Sequence, residues 1–325
     1  MSSFSDSEMP GRTTLVPVEQ AVESAVRLGR EAVYFRPWIG DRGPEVADRF
    51  ERAVRSRSAV GTLLYVDGVA VGVALWNPPG PLGITLDLWH VVPAMTSTDR
   101  YRWFLEAIRR TYGPVVFVPG EIPGLAPADE ERLMTGLGYG RFGRSEMRRT
   151  LDAPLPSLEL PGEGSLRPVT RDDEAALIDL HARAYHERFD RYLFLEDPDE
   201  RSDARHLVQS FFDGKWGEWS AAGSQAVTRG GELLGAVLAV RRGPGALLID
   251  VMVEPSAQGG GIGRALLAGT IRSLVAQGEV PIALNVTEGN SRALRLYARL
   301  GFVRTLGPSR DWYDRDRIPV APERD

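Results

Sequence analysis

The sequence lacks cysteine entirely, in a chain of 325 residues. Without cysteine there are no disulfide bonds and no thiol nucleophile, and the expected location is the cytoplasm. No apolar run approaches the roughly 18 residues that a membrane-spanning helix needs, so no membrane partner is predicted. The four histidines show no spacing typical of metal ligands, and no metal is predicted.

A strong charge of one sign is also missing. The formal net charge is −5, and no basic patch is dense enough to suggest a nucleic-acid partner. The composition, 43% hydrophobic and 26% charged, is that of a globular protein, and the length suits two domains of about 150 residues each. Residues 1–11 are polar and lack the basic and apolar regions of a signal peptide, which predicts a disordered tail.

A glycine-rich junction between a strand and a helix is the most informative segment that is present. An apolar run from Ala246 to Val253 is followed by four glycines within residues 259–263, and a helical pattern starts at Arg264. Glycines lack Cβ atoms, so backbone N–H groups can converge where the helix dipole adds positive charge, which predicts a phosphate site. No lysine follows, as a P-loop requires, and the third glycine of a dinucleotide fingerprint is missing.

A second pattern runs from Asn290 to Phe302. Asn290 is placed to cap a helix, and Gly301 is placed to end it in the left-handed conformation. Four residues fall on one face of this helix: Ala293, Leu296, Tyr297 and Leu300. The tyrosine is therefore either a core residue of that face or a functional group beside the phosphate loop.

Together these patterns resemble the GNAT superfamily of acetyl-CoA-dependent N-acetyltransferases. The loop matches the family's Q/R-x-x-G-x-G/A pattern through Gln258, Gly261 and Gly263, and the helix matches N-x-x-A-x-x-x-Y-x-x-x-G-F at every specified position. The resemblance implies a mixed, mostly antiparallel sheet with helices on both faces. Two of its strands, here near residues 246–253 and 282–286, would splay apart around the pantetheine arm of acetyl-CoA.

The two halves of the chain correspond on either side of a segment rich in proline and glycine, residues 151–164. Each half has an apolar strand that ends at a proline (Pro93, Pro255), then a helix and a closing Leu-Gly-aromatic unit. This repeat predicts an α/β (α+β) fold with two tandem GNAT-like domains, residues 12–150 and 165–325, joined by a linker. The layout is similar to that of two-domain family members whose C-terminal half is active.

The first half lacks the residues that would bind and use the cofactor. Asp99 stands opposite Gly261 and puts negative charge where the pyrophosphate would sit. Tyr101 stands opposite Gly263 and fills the space that the ligand needs, and Met134, opposite Tyr297, has no proton to donate. We expect a structural or substrate-shaping role for the first domain.

The resemblance also implies roles for individual residues of the second domain. The implied cofactor-binding residues are Met252 and Val253 for the pantetheine arm, Gln258, Gly259, Gly260, Gly261, Ile262, Gly263 and Arg264 for the pyrophosphate, and Asn290 near the pantetheine portion. Tyr297 would be the general acid that protonates the departing thiolate.

Asp250 is the candidate catalytic base, ahead of Glu254. Strand alternation leaves the direction of the Asp250 side chain dependent on any β-bulge. Two alternatives stay open: Asp250 is a solvated or ion-paired carboxylate, or a chain of water molecules deprotonates the amine in place of a single base.

The predicted function is acetyl transfer from acetyl-CoA to the primary amine of a small molecule. A protein or peptide N-acetyltransferase and a non-catalytic acyl-CoA sensor are the alternatives, and Tyr297 argues against the sensor. The chain is expected to be a monomer or a homodimer.

A further set of side chains is predicted either to line the acceptor pocket or to belong to the core: Tyr185, His186, Phe189, Tyr192, Trp216 and Trp219.

Overall fold

A computed structural model describes residues 11–34, 43–76, 79–305 and 308–322 of the chain. The chain divides into two compact units. The first contains the chain up to Phe142 together with Ser309–Ala321, and the second contains Gly143–Pro308. The predicted disordered tail, residues 1–11, lies outside the described residues apart from Gly11.

Strands and helices alternate along the described parts of the chain. The strands are β1 (Thr13–Pro17), β2 (Val60–Val66), β3 (Val69–Trp76), β4 (Ile84–Val91), β5 (Val115–Pro119), β6 (Tyr139–Phe142), β7 (Arg144–Arg149), β8 (Ser165–Pro168), β9 (Glu218–Trp219), β10 (Gln225–Arg229), β11 (Glu232–Arg242), β12 (Gly245–Val253), β13 (Ile282–Thr287), β14 (Val303–Arg304) and β15 (Asp311–Asp314). The helices are α1 (Val22–Tyr34), α2 (Gly43–Arg55), α3 (Thr98–Tyr112), α4 (Pro127–Gly136), α5 (Glu174–Ala184), α6 (Phe189–Tyr192), α7 (Glu200–Phe212), α8 (Ile262–Ala276) and α9 (Ser291–Arg299).

The first unit is built on a sheet with the strand order β1-β2-β3-β4-β5-β15-β6. Its neighbouring strands are antiparallel except for β4 and β5, which are parallel. Successive side chains of a strand point to opposite faces, and Leu63 and Leu64 of β2 accordingly join different apolar clusters. Helices α1 and α2 cover the Leu63 face, and α3 and α4 cover the Leu64 face.

The second unit has a sheet with the order β14-β7-β13-β12-β11-β10-β8, and β9 pairs with β11. Only β12 and β13 are parallel among these pairs of described strands. Val237 and Ala239 of β11 face α8 and α9, while Ala236 and Leu238 face α5 and α7. The predicted fold class, two tandem mixed sheets flanked by helices, is confirmed.

The compact units and the domains drawn from the sequence differ at two strands. β7 lies in the sheet of the second unit, and β15 lies in the sheet of the first, although the boundaries 12–150 and 165–325 place each in the other domain. β7 pairs with β13 along its whole length, from Arg149 opposite Ile282 to Arg144 opposite Thr287. This pairing covers the edge of β13, which would otherwise have unpaired backbone groups. The proline-rich composition of residues 151–164, which predicts the domain boundary, does not indicate this pairing.

A buried arginine holds the start of the segment 151–164 against the second unit. Arg149 is 1% exposed. Its guanidinium donates hydrogen bonds to the carbonyl oxygens of Leu300 (2.9 Å), Ala153 (2.9 Å) and Pro154 (2.7 Å). Charge-assisted bonds of this kind offset the cost of burying the cation and fix the path of the segment.

We expect Arg149→Met to lower the free energy of unfolding by about 2–4 kcal/mol, because buried carbonyl groups lose charge-assisted donors. The measurement is denaturant-induced unfolding. Arg148→Met is the matched control, because the Arg148 side chain is 40% exposed and pairs with Glu146. This substitution should change the free energy of unfolding by no more than about 0.5 kcal/mol. Equal losses for the two variants would show that Arg149 does not hold the segment.

Candidate active site

The central strands of the second unit separate where the site lies. β12 and β13 pair only through Ala246–Leu248 and Ile282–Leu284. Beyond these residues β12 continues to Val253 and β13 to Thr287 without a further pair between them. The strand pair therefore has the splayed form that the family resemblance predicts.

A β-bulge decides where Asp250 points. Leu238 of β11 lies opposite Asp250 and Ala239 lies opposite Leu248, so Ile249 is the extra residue. Before the bulge Leu248 packs on the α8 face. The extra residue reverses the alternation, and Asp250 shares the opposite face, towards α5.

A cavity of about 1110 Å³ contains most of the predicted site. The predicted residues that line it are Asp250, Val253, Gln258, Gly259, Gly261, Ile262, Gly263, Arg264, Asn290 and Tyr297. Two predicted residues, Met252 and Gly260, are not among its lining residues, and the Met252 side chain is buried in the apolar cluster below α5. All lining residues belong to the second unit.

The glycine loop has the backbone geometry that its composition predicts. Gly259 and Gly261 have φ values of 86° and 87°, in the left-handed region that favours glycine. Gly261 is the N-cap of α8, and no side chain caps this helix. The first-turn N–H groups of α8 therefore point to the loop without a side-chain partner, as an anion site requires.

Two polar side chains of the loop are engaged by the protein. Gln258 Nε2 donates to the carbonyl oxygen of Val253 (3.1 Å), which ties the loop to the end of β12. Arg264 lies near Glu159 (3.4 Å) and donates to the Ser157 hydroxyl (2.9 Å). Residues of the segment 151–164 thus contact the loop directly.

Helix α9 presents Tyr297 to the cavity. Asn290 Oδ1 accepts a hydrogen bond from the N–H of Ala293 (3.1 Å), so Asn290 caps the helix as predicted. Gly301, with φ 87°, follows its last turn. Tyr297 is 8% exposed and packs edge-on against Phe302. Burial, followed by the charges of Asp250 and Asp190, raises the pKa of Tyr297, so the phenol keeps its proton at neutral pH.

Asp250 is the centre of a buried polar cluster. Tyr185 Oη donates to Asp250 Oδ1 at 2.5 Å, and His181 Nε2 lies 3.6 Å from Oδ2. The rings of His181 and Tyr185 stack with their centroids 4.5 Å apart. Burial raises the pKa of Asp250, and His181 and Tyr185 oppose that effect. The carboxylate is therefore buried and hydrogen-bonded, not solvated.

The sequence did not single out this cluster. His181 and Tyr185 are four residues apart at the end of α5, a spacing that places both on one helix face and that could have signalled a pair. The sequence predicts six side chains either to line the acceptor pocket or to belong to the core. Three of them line the cavity: Tyr185, Phe189 and Trp216. Asp190, on the short helix α6, carried no signal in the sequence.

The corresponding gap in the first unit is filled by side chains. Tyr101 is fully buried, and its hydroxyl accepts from the N–H of Val91 (3.1 Å) and donates to the Pro123 carbonyl oxygen (3.2 Å). Trp89 packs edge-on against Tyr101 at 4.9 Å. The Ser97 side chain caps α3. These contacts occupy the backbone groups that the second unit leaves open.

Comparisons with known proteins identify the relatives of this chain. The model of the Acetyltransferase (GNAT) family matches residues 176–302. The mycothiol acetyltransferase of Thermomonospora curvata is 34% identical over 260 residues, which cover 78% of this chain and 81% of that protein. The mycothiol acetyltransferase of Thermobispora bispora is 34% identical over 254 residues, 74% of this chain and 79% of that protein.

Two solved structures share the fold. The GCN5-related N-acetyltransferase from Sphaerobacter thermophilus has a TM-score of 0.65 at 19% identity, covering 94% of this chain and 96% of that one. A tandem GNAT protein from the clavulanic acid biosynthesis pathway has a TM-score of 0.54 at 16% identity, and the match covers 92% of this chain and 97% of that one.

The fold and the relatives define an acyltransferase with two GNAT-type units. The chain belongs to the GNAT family of acetyltransferases. Within the residues that the structure describes, no helix is long and apolar enough to cross a membrane, and no group of three or more acidic or histidine side chains is placed to hold a metal ion.

We expect Asp250→Asn to stabilise the protein at neutral pH while impairing the site. The folded-state pKa of Asp250 lies above its ordinary value, so stability falls as pH rises through the interval between the two. Asn removes this penalty, and a gain of about 1 kcal/mol would raise the melting temperature by about 2–4 °C at pH 7.5.

The gain should largely disappear below about pH 3, under the ordinary pKa of aspartate, where Asp250 is mostly protonated in both states. Asp179→Asn, at a side chain 42% exposed and paired with Arg201, is the control and should show no such pH-dependent gain. A melting temperature of Asp250→Asn below that of the wild type at pH 7.5 would contradict the assignment of Asp250 as a destabilising buried charge.

Proposed function

We propose that the second unit transfers an acetyl group from acetyl-CoA to the primary amine of a small molecule. The observation that carries this proposal is a single cavity that joins the uncapped start of α8 to Tyr297 and Asp250 at the gap between β12 and β13. Membership of the family supports acetyl transfer, and the relatives named mycothiol acetyltransferase support a small-molecule acceptor.

Backbone groups would hold acetyl-CoA. The open N–H groups at the start of α8 suit its pyrophosphate, because the helix dipole and the glycine backbone allow close approach. The unpaired edge of β12 up to Val253 offers N–H and C=O groups to the pantetheine arm, as in strand addition. Asn290 fixes the start of α9 beside this arm.

Tyr297 is suited to protonate the departing thiolate. It lines the cavity, and its raised pKa keeps the phenol protonated until negative charge develops on sulfur. No hydrogen bond from a described residue is among the causes that shift its pKa, which leaves the proton available to a ligand.

Asp250 is suited to accept a proton from the substrate ammonium. Its raised pKa makes the carboxylate a stronger base than an exposed aspartate. The freed amine nitrogen then attacks the thioester carbonyl carbon, the C–N bond forms and the C–S bond breaks. Tyr297 gives its proton to sulfur and regains one from the nitrogen, so the products are the amide, the thiol and one proton on Asp250.

A panel of primary amines, assayed for release of the CoA thiol from acetyl-CoA, tests the proposed function. The panel should include the acceptor of mycothiol acetyltransferases, other small amines and peptides with free N-termini. Thiol release with small amines and not with peptides is the expected result. Turnover of peptides alone would contradict the proposal and indicate protein or peptide acetylation instead.

Calorimetric titration should show one CoA site per chain, because Tyr101 and Trp89 fill the gap in the first unit. We expect Gly261→Val to weaken CoA binding by at least about 100-fold, since φ of 87° strains a β-branched residue and a side chain would crowd the anion site. Ser97→Ala, at the capping position of the first unit, is the matched control and should leave CoA affinity unchanged. Two CoA sites per chain would overturn this assignment.

Tyr297→Phe should lower kcat by about 10²–10⁴-fold, because the general acid is lost while the ring still packs against Phe302. CoA affinity should stay within about threefold, since backbone donors supply the anion contacts. Steady-state kinetics, CoA titration and the melting temperature are measured together. If Tyr297 is only a core residue, a well-folded variant will keep kcat within about threefold of the wild type.

A further inference from the structure

The acceptor end of the cavity carries two carboxylates on opposite sides of the strand gap. Asp250 lies on β12, and Asp190 lies on α6, where its Oδ1 accepts a hydrogen bond from the Thr287 hydroxyl at the end of β13. Both carboxylates and Tyr297 line the cavity. Both carboxylates also act electrostatically on Tyr297, so an acceptor amine beside Tyr297 would lie near two acidic groups.

Neither carboxylate forms an ion pair with an arginine or lysine among the described residues. Among the described residues Asp190 forms no ion pair, and the adjacent Arg191 instead lies 3.2 Å from Glu200 and 3.6 Å from Asp203. Asp250 is 5% exposed, and its Oδ2 has no hydrogen-bond partner among the described residues. A buried acceptor atom without a donor calls for a ligand that supplies one.

The negative charges act on the reacting groups. After burial, the charges of Asp250 and Asp190 are the causes that raise the pKa of Tyr297, and Asp190 also contributes to the raised pKa of Asp250. Lys215, which also lines the cavity, pairs with Glu196. Arg144, Arg188 and Arg191 line the cavity as well, but no arginine is among the causes that shift the pKa of Asp250 or Tyr297. The negative charge is therefore local to the gap, where it attracts a cationic group.

We propose that Asp190 and Asp250 together bind the ammonium group of the acceptor, and that the acceptor is a primary aliphatic amine without a carboxylate on the carbon that bears the nitrogen. This inference rests on the proposed acetyl transfer. A carboxylate on that carbon would lie within a few ångströms of both acidic side chains, and the like charges would repel it. Alkylamines and amino-acid amides or esters fit the site, and free amino acids do not.

The two carboxylates have different tasks. Asp250 accepts one proton from the ammonium, and the nitrogen then attacks as described for the proposed function. Asp190 takes no proton in the reaction: its charge holds the ammonium in place before transfer. Asp190 is thus a specificity-determining residue, and its loss should raise KM far more than it lowers kcat.

The experiment compares 2-phenylethylamine with phenylalanine, two acceptors that differ only in the carboxylate, in the wild type and in Asp190→Asn. The wild type should use 2-phenylethylamine at least about tenfold better in kcat/KM. In Asp190→Asn, KM for 2-phenylethylamine should rise by about tenfold, kcat should change by less than about threefold, and the preference over phenylalanine should fall to within about threefold.

Thr287→Val is the matched control, because it removes the hydrogen bond to Asp190 and keeps the charge. It should retain the preference for 2-phenylethylamine. If Thr287→Val reproduces the effect of Asp190→Asn, the role of Asp190 is structural and the inference fails. Equal use of both acceptors by the wild type, or an unchanged preference in Asp190→Asn, would also overturn it.

Binding separates this inference from the proposed function. Calorimetric titration of 2-phenylethylamine into the CoA-loaded protein should show affinity that falls by about tenfold in Asp190→Asn. Such binding without release of thiol from acetyl-CoA for any amine would contradict acetyl transfer and leave the ammonium site standing. Absence of binding to the wild type, or equal binding by both proteins, would overturn the ammonium site.

Discussion

Beyond Leu248, β12 and β13 no longer pair, and the candidate active site depends on that interruption. A continuous parallel pair would satisfy the backbone groups of β12 and leave no room between the strands. The bulge at Ile249 lies where pairing ends, and it turns Asp250 towards α5 while Val251 and Val253 pack on the α8 side. The bulge thus aims the carboxylate into the gap that the unpaired ends of β12 and β13 leave.

The two units show how the same framework either keeps or loses a site. Each has a parallel strand pair at the corresponding place, β4 with β5 and β12 with β13. In the first unit Tyr101 bonds the N–H of Val91 and fills the gap from within. In the second unit, glycines and a helix start without a side-chain cap leave that space open.

Motifs with a local physical meaning could be read from the sequence. The glycines at 259 and 261 predicted left-handed backbone, and Asn290 predicted a helix cap, because both depend on residues close in the chain. The pairing of β7 with β13 and of β15 with β5 depends on sheet edges that are distant in sequence, so proline content and repeat position could not indicate it. The direction of Asp250 depended on a bulge, and Asp190, on the short helix α6, belongs to no motif that the sequence displays.

Hydrogen–deuterium exchange of backbone amides with and without CoA tests the cofactor site of the second unit most directly. If the unpaired edge of β12 and the start of α8 hold the cofactor, CoA should slow the exchange of amides within residues 251–265. The corresponding amides of the first unit, residues 90–102, should exchange at the same rate in both samples. Protection in the first unit, or none at residues 251–265 in a sample saturated with CoA, would contradict it.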